Sequence, residues 1–437
     1  MTMYDKQDES GEALTVSDKE ETWMFHIMPD DTGSSAIWVA QRVPDDHITA
    51  VANQWVIQEI DVADTINFIA SSNVFSIAEK HGLWSKSSGK PFNWALVYGT
   101  NRHLGAHGCT RRVWRVMTLA SPSLLPIFSP YTDGLATFGY GEDFSKPYPF
   151  SVKVDRPLSA IDIMNINRDQ YEGSEFDLTT SPDGGPFGDP MRYPPRGALK
   201  DPVNGINREE NGKAIGFQRA ISIWRTAYST VTQSRNTLPN SIGAVTWIAQ
   251  YAPHFSTFVP VYASVEKTPS TLNTGTQYKL DKGSNWWAHC VTGNYLSRWY
   301  SYAIDDVRSL QKSIESWMLK EQADAESRAK QALDRATGAG ADAGADSGPA
   351  AIQAALKTTI GSFQENAGTY TLDAWWEFFY EAVGKYRDMY KVVNPHAENF
   401  FNAVQYITVP RWFLEQVGYW GEPGSPPPDK VRYDKEY

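Results

Sequence analysis

The chain has 437 residues, 41% of them hydrophobic and 13% aromatic, which suffices for one large packed core or two adjoining ones and excludes global disorder. A formal net charge of -11, from 40 Lys and Arg against 51 Asp and Glu, argues against the basic footprint of a nucleic-acid binder and against a polybasic membrane surface. No apolar run reaches the ~18 residues of a spanning helix, and two cysteines, Cys109 and Cys290, rule out a disulfide framework or a four-cysteine zinc site.

The charged opening stretch has no apolar signal core, and no Asn-x-Ser/Thr sequon occurs. As it stands the chain reads as cytoplasmic, with a secretory or lysosomal address left open to an upstream segment. The first elements form an antiparallel meander: strands are predicted over 22–28, 36–41 and 50–57, separated by polar turns such as Val43-Pro44-Asp45-Asp46. The period then changes. Val74, Ile77 and Ala78 make a helical stripe closed by Gly82, and Val113, Trp114, Val116 and Met117 make another before Pro122. A third helix starts near Pro157 and Ser159, carries Ile161, Met164 and Ile166, and ends near Gly173.

Residues 177–217 are crowded with Gly and Pro and read as a long loop, a length usually reserved for functional segments. A second strand group follows over 220–226, 228–233, 243–251 and 256–264. Two strand groups, each with associated helices, suit two stacked antiparallel sheets faced by helices better than a parallel α/β fold. From Tyr295 the text is helical and runs into a surface arm over 311–336. Residues 337–350 are an Ala/Gly-rich flexible linker, and helices return over 351–363 and 372–393 before an irregular tail.

Individual motifs carry little chemistry. His103, His107 and Cys109 have metal-like spacing, but Gly105 and Gly108 undermine the helix that would align them. Doublets such as Asp45-Asp46, Glu209-Glu210 and Asp305-Asp306 are neighbours that rarely face one another. The glycines of 184–188 lack the ending of a phosphate cradle. Cys290, within Trp286-Trp287-Ala288-His289-Cys290-Val291, reads as a small buried hydrophobe.

Three longer segments are more specific. Residues 37–46 leading into Ala52-Asn53-Gln54, residues 177–179 leading into Gly185-Pro186-Phe187-Gly188-Asp189-Pro190-Met191-Arg192, and residues 225–235 followed by Leu238-Pro239 and 243–247 resemble the dipeptidase A and secernin family of N-terminal-nucleophile (Ntn) hydrolases. The resemblance extends from about Ser10 to Arg308 and implies an α+β fold, a four-layer αββα sandwich with two antiparallel sheets over 1–310, here without its N-terminal strands, plus a C-terminal helical region over 351–437.

It also implies hydrolysis of short peptides or dipeptides by an N-terminal Cys whose own α-amino group is the general base. No such Cys opens this sequence, so the nucleophile is expected to be absent from it; Thr2, in a hydrophilic stretch, makes a poor substitute. A catalytically inactive secernin-like binding or scaffold protein is the alternative. By the same resemblance Asn53 donates to the oxyanion and Arg225, ahead of Arg219 or Arg235, polarises the nucleophile or holds a substrate carboxylate, making Asn53 and Arg225 the expected catalytic residues. Arg235, Asp189 and Arg192 are the expected substrate contacts. No cofactor or metal, no nucleic acid and no membrane is expected, and homo-oligomerisation is left open.

Overall fold

A computed structural model describes residues 11–99, 107–125, 148–180, 182–190, 208–210, 213–215, 219–337 and 348–416. The chain forms two compact units, Met1–Ile166 with Ser234–Thr237, and Asn167–Gln233 with Leu238–Tyr437. Both mix helices with strands, an α+β composition.

In the first unit, β1 (Glu12–Ser17), β2 (Thr22–Pro29) and β3 (Ala36–Val43) run as an antiparallel meander. Their turns are fixed by aspartates. Asp18 Oδ1 accepts from the backbone N–H groups of Glu20 and Glu21 at 2.7 and 2.8 Å, and Asp30 Oδ1 accepts from that of Thr32 at 3.0 Å. Alternation sets the inner face, so Met24, His26 and Met28 of β2 are buried. After β4 (His47–Ile48), β5 (Phe68–Ala70) completes the sheet in the order β1-β2-β3-β5.

Residues 50–57, predicted as a strand, are not one. Asn53 sits in the left-handed region at φ 57°, and Gln54 to Ile57 are buried one after another, so this apolar run is a buried loop rather than a two-faced strand.

α1 (Val74–Lys80) and α2 (Trp94–Tyr98) follow, the latter capped by Asn93, whose side chain accepts from the Leu96 N–H at 3.0 Å. α1 ends before Gly82, at φ 67°. α3 (His107–Ala120) buries Val113, Trp114 and Met117 and stops before Pro122. β6 (Val152–Lys153) pairs with β4. α4 (Ala160–Arg168) opens on a capping box in which the Ser159 N–H donates to Asp162 Oδ2 and the Asp162 N–H to Ser159 Oγ. It is shorter than the helix predicted to reach Gly173; its last two residues belong to the second unit.

The second unit contains the hairpin β7 (Arg208–Glu210) and β8 (Lys213–Ile215), within the segment predicted as one loop. β9 (Tyr228–Ser234), β10 (Ala244–Gln250) and β11 (Val259–Val261) form a sheet in the order β11-β10-β9, with α5 (Asn240–Gly243) in the turn. Residues 220–226, predicted as a strand, are turns instead, because Ser222 bonds sideways to the Asp169 carbonyl and Thr226 folds back onto Ile223.

α6 (Asn285–Leu296) leads through a 3₁₀ turn, Ser297–Trp299, into α7 (Tyr300–Ala336). The 311–336 stretch expected as an arm is the later part of α7, and its Ile314, Met318, Ala325, Ala329 and Leu333 are buried at helical spacing. α8 (Pro349–Leu356) continues through a π-helical segment, Lys357–Gly361, into α9 (Ser362–Lys385), and both helices pack on α7.

Helix was predicted through 393 but stops at Lys385. β12 (Tyr386–Arg387) and β13 (Tyr390–Val392) form a tight hairpin there, α10 (Phe400–Ala403) follows, and β14 (Val404–Tyr406) adds a third strand before α11 (Arg411–Gln416).

Buried polar bonds tie the irregular 253–258 segment to α7. Arg168 pairs with Glu315, which also accepts from the Phe258 N–H at 3.1 Å, while Gln311 Nε2 donates to the Ser256 carbonyl at 2.9 Å. With these partners in place, a charge pair can be held in an apolar interior. No described helix is long and apolar enough to cross a membrane. Arg192, Thr2, His103 and most of the 337–350 linker lie outside the described residues.

Candidate functional site

The glycine-rich loop becomes rigid through local bonds. Asp177 Oδ1 accepts from the N–H and hydroxyl of Thr179 at 2.8 and 2.6 Å, and Gly188, at φ 64°, lies so close to the Thr179 carbonyl that a Cβ there would come within 2.1 Å of its oxygen. The next N–H, of Asp189, donates to the Gly184 carbonyl at 2.9 Å. This fixes the Asp189 backbone, and the residue is 6% exposed.

Asp189 lines a cavity of about 920 Å³ inside the second unit. Arg225, from the turn before β9, lines it too, so two of the predicted residues meet at one hollow. α6 contributes Trp286, Cys290 and Asn294, spaced four apart and therefore on one helical face. Arg298 and Trp299 come from the 3₁₀ turn after α6, and Met389 from the β12–β13 hairpin.

Tyr251, at the end of β10, is held at φ 77°, an unfavourable conformation for an aromatic residue. Its N–H donates to the Ala227 carbonyl at 3.0 Å, and its hydroxyl accepts from Asn294 Nδ2 at 3.2 Å. Gly293 is required beside it, since a Cβ there would stand 2.9 Å from the Tyr251 ring.

Tyr251, Cys290 and His254 stay uncharged near neutral pH. Burial pushes the Tyr251 phenol well above its ordinary range, with the nearby Cys290 and Asp189 adding to the effect. Burial also pushes the Cys290 thiol up to about 11, opposed by its contact with Asn294 Nδ2. His254 is lowered to about 3, chiefly by burial and then by Arg308 and Arg168. Its ring Nδ1 lies 2.7 Å from the Ser222 hydroxyl. The arrangement supplies hydrogen-bonding groups, an acid and guanidinium groups between aromatic walls, but not a ready thiolate.

The other predicted residues lie elsewhere. Asn53 is in the first unit, exposed, with Oδ1 accepting from Arg112 Nη2 at 2.6 Å. That bond defines which end of the amide is oxygen and turns the nitrogen end away from Arg112. Cys109, buried in α3, has its Sγ 3.9 Å from the Asn53 carbonyl. Arg235 belongs to the segment Ser234–Thr237 of the first unit, and Arg219 offers its backbone carbonyl to the Tyr171 hydroxyl at 2.8 Å. Among the described residues no group of three His, Cys, Asp or Glu is placed to hold a metal ion.

Sequence reasoning passed over Tyr251, Asn294, Arg298, Trp299 and Met389. The four-residue spacing of Trp286, Cys290 and Asn294 was the available signal. Cys290, predicted as a small buried hydrophobe, is only partly buried.

Against known proteins, the sequence profile of peptidase family C69 matches residues 3–313. The chain belongs to peptidase family C69. Every cavity residue except Met389 lies within the family's matched span.

Among curated relatives, a "Probable dipeptidase" of Latilactobacillus sakei is 25% identical over 307 residues, 70% of this chain and 54% of that protein. A "Probable dipeptidase" of Salmonella dublin is 27% identical over 259 residues, covering 59% and 48%. "Dipeptidase A" of Lactobacillus helveticus is 24% identical over 269 residues, covering 62% and 46%. The chain therefore spans about half the length of these relatives.

Proposed function

We propose that this C69 chain is the peptide-binding part of a dipeptidase, built on an Ntn-type αββα core, that cleaves short peptides with a cysteine nucleophile supplied outside these 437 residues. The observation that carries this reading is the meeting of Asp189 and Arg225 at one cavity, large enough for a dipeptide. Asp189 receives the substrate's α-ammonium group, and Arg225 polarises the reacting group. In the first unit, Asn53 is the amide donor to an oxyanion, a function supported by Arg112, which engages the amide's oxygen end.

Neither internal cysteine suits the attack. Cys109 is buried, and the Cys290 thiol at about 11 is almost wholly protonated near neutral pH. The same two facts favour the second reading, a binding protein without catalysis on this fold.

Hydrolysis assays separate the two. The 437-residue chain is expected to leave a dipeptide intact, whereas a longer form of the protein beginning at an exposed cysteine hydrolyses it and loses that activity when the cysteine is replaced by Ala. Turnover by the 437-residue chain that disappears in Cys290→Ala would overturn the nucleophile assignment. A longer form with an exposed cysteine and no turnover would favour the binding protein.

A further inference from the structure

The wall of the cavity holds two aromatic rings set at right angles. Tyr251, at the end of β10, and Trp286, in the first turn of α6, both line the hollow, and both are part-exposed. Their ring centres lie 6.0 Å apart at an interplanar angle of 89°. Trp287 meets Trp286 at 4.8 Å and 88°, so among the described residues no ring lies parallel to Trp286 or to Tyr251.

The corner is held on both sides before any ligand arrives. The Tyr251 hydroxyl accepts from Asn294 Nδ2 and its N–H donates to the Ala227 carbonyl, while the Trp287 indole N–H behind Trp286 donates to the Thr276 carbonyl at 2.7 Å. Rings fixed in this way lose little conformational freedom when a ligand packs on them.

An aromatic ring has a negative face and a positive edge. A third ring entering a right-angled corner can lie offset over one wall while its edge meets the face of the other, whereas a saturated group of equal size only fills the space. Aromatic faces also attract cations. Here Arg225 and Arg298 are exposed and line the same cavity, and Asp189 is the one carboxylate among the described lining residues, so a cationic side chain meets like charge.

Resting on the peptide-binding reading above, we propose that Tyr251 and Trp286 form the specificity subsite for an aromatic side chain of the bound peptide. The cavity, at about 920 Å³, has room for a dipeptide that carries such a ring. Both residues act by holding substrate, so their loss should appear in the preference among side chains.

The test is calorimetric titration of the 437-residue chain with Ala-Phe and Phe-Ala, each against the peptide in which cyclohexylalanine replaces phenylalanine, and with Ala-Lys. The cyclohexyl group keeps the bulk of the side chain and lacks the π-face. Chromatography afterwards verifies that the peptides are intact. The wild-type chain is expected to bind at least one phenylalanine peptide about threefold or more tightly than its cyclohexyl counterpart, and Ala-Lys more weakly than Ala-Phe. Trp286→Leu keeps apolar bulk and removes one wall of the corner, so that ratio should collapse toward one.

An unaltered ratio in Trp286→Leu overturns the proposal, and Ala-Lys binding more tightly than Ala-Phe would make the corner a cation site instead. Phenylalanine and cyclohexyl peptides that bind alike in both orders overturn the aromatic subsite and leave peptide binding standing. A wild-type chain that binds none of the peptides overturns both. The wild-type ratio needs no variant, so it decides alone if Trp286→Leu fails to fold.

Discussion

His26 occupies a costly position for an imidazole. It points inward from β2, is fully buried, stacks obliquely on Trp55 at 4.7 Å, and neither ring nitrogen has a hydrogen-bond partner among the described residues. Burial lowers it from 6.5 to about 3. The unfolded chain therefore takes up a proton that the folded chain refuses. Stability is complete above about 6.5 and falls as the pH drops from there toward 3, by up to about 1.4 kcal/mol per pH unit for each such residue.

His254 and His289 are lowered in the same direction, again chiefly by burial. Replacing His26 by Leu should flatten the decline in urea midpoint between pH 6.5 and 5 and raise the midpoint at pH 5. An unchanged slope would mean that His26 is protonated in the folded state. Its burial was partly readable, because it alternates with Met24 and Met28; its lack of partners was not, since partners come from other parts of the fold.

At the scale of elements, strands β2 and β3 and helices α1 and α3 were legible because period and stop signals agreed: alternation bounded by Asp-rich turns, and stripes closed by Gly82 or Pro122. Residues 50–57 misled because consecutive burial imitates a strand in composition without its alternation. The end of α9 misled for a different reason. Asp388 and Met389 form the hairpin tip at φ 51° and 65°, conformations usually signalled by Asn-Gly, and nothing at these positions announces a turn.

Met389 is thus a strained residue that lines the cavity. Met389→Gly should relieve the backbone and stabilise the protein by about 1 kcal/mol, seen as a raised melting temperature. A lowered melting temperature would show that the Met389 side chain contributes more by packing than its backbone costs. Asp189 and Arg225 stand in segments long enough to be recognised together, and both line the cavity. Arg298 and Trp299 were not legible, because a single Arg-Trp pair at a helix end has no distinguishing pattern until the fold brings it beside them.

For the whole molecule, the two units hold different parts of the expected constellation, Asn53 in one and Arg225 with Asp189 in the other. The cavity lies wholly among residues of the second unit, so peptide binding can be tested apart from catalysis. The most direct measurement is the thermal unfolding of this chain with and without excess Ala-Phe, in the wild type and in Asp189→Asn. A ligand that binds only the folded state raises its stability by about 2.7 kcal/mol at a hundredfold excess over Kd. The expected result is a melting temperature raised by the dipeptide in the wild type and largely unmoved in Asp189→Asn; no rise in the wild type, or an equal rise in both, would contradict the account.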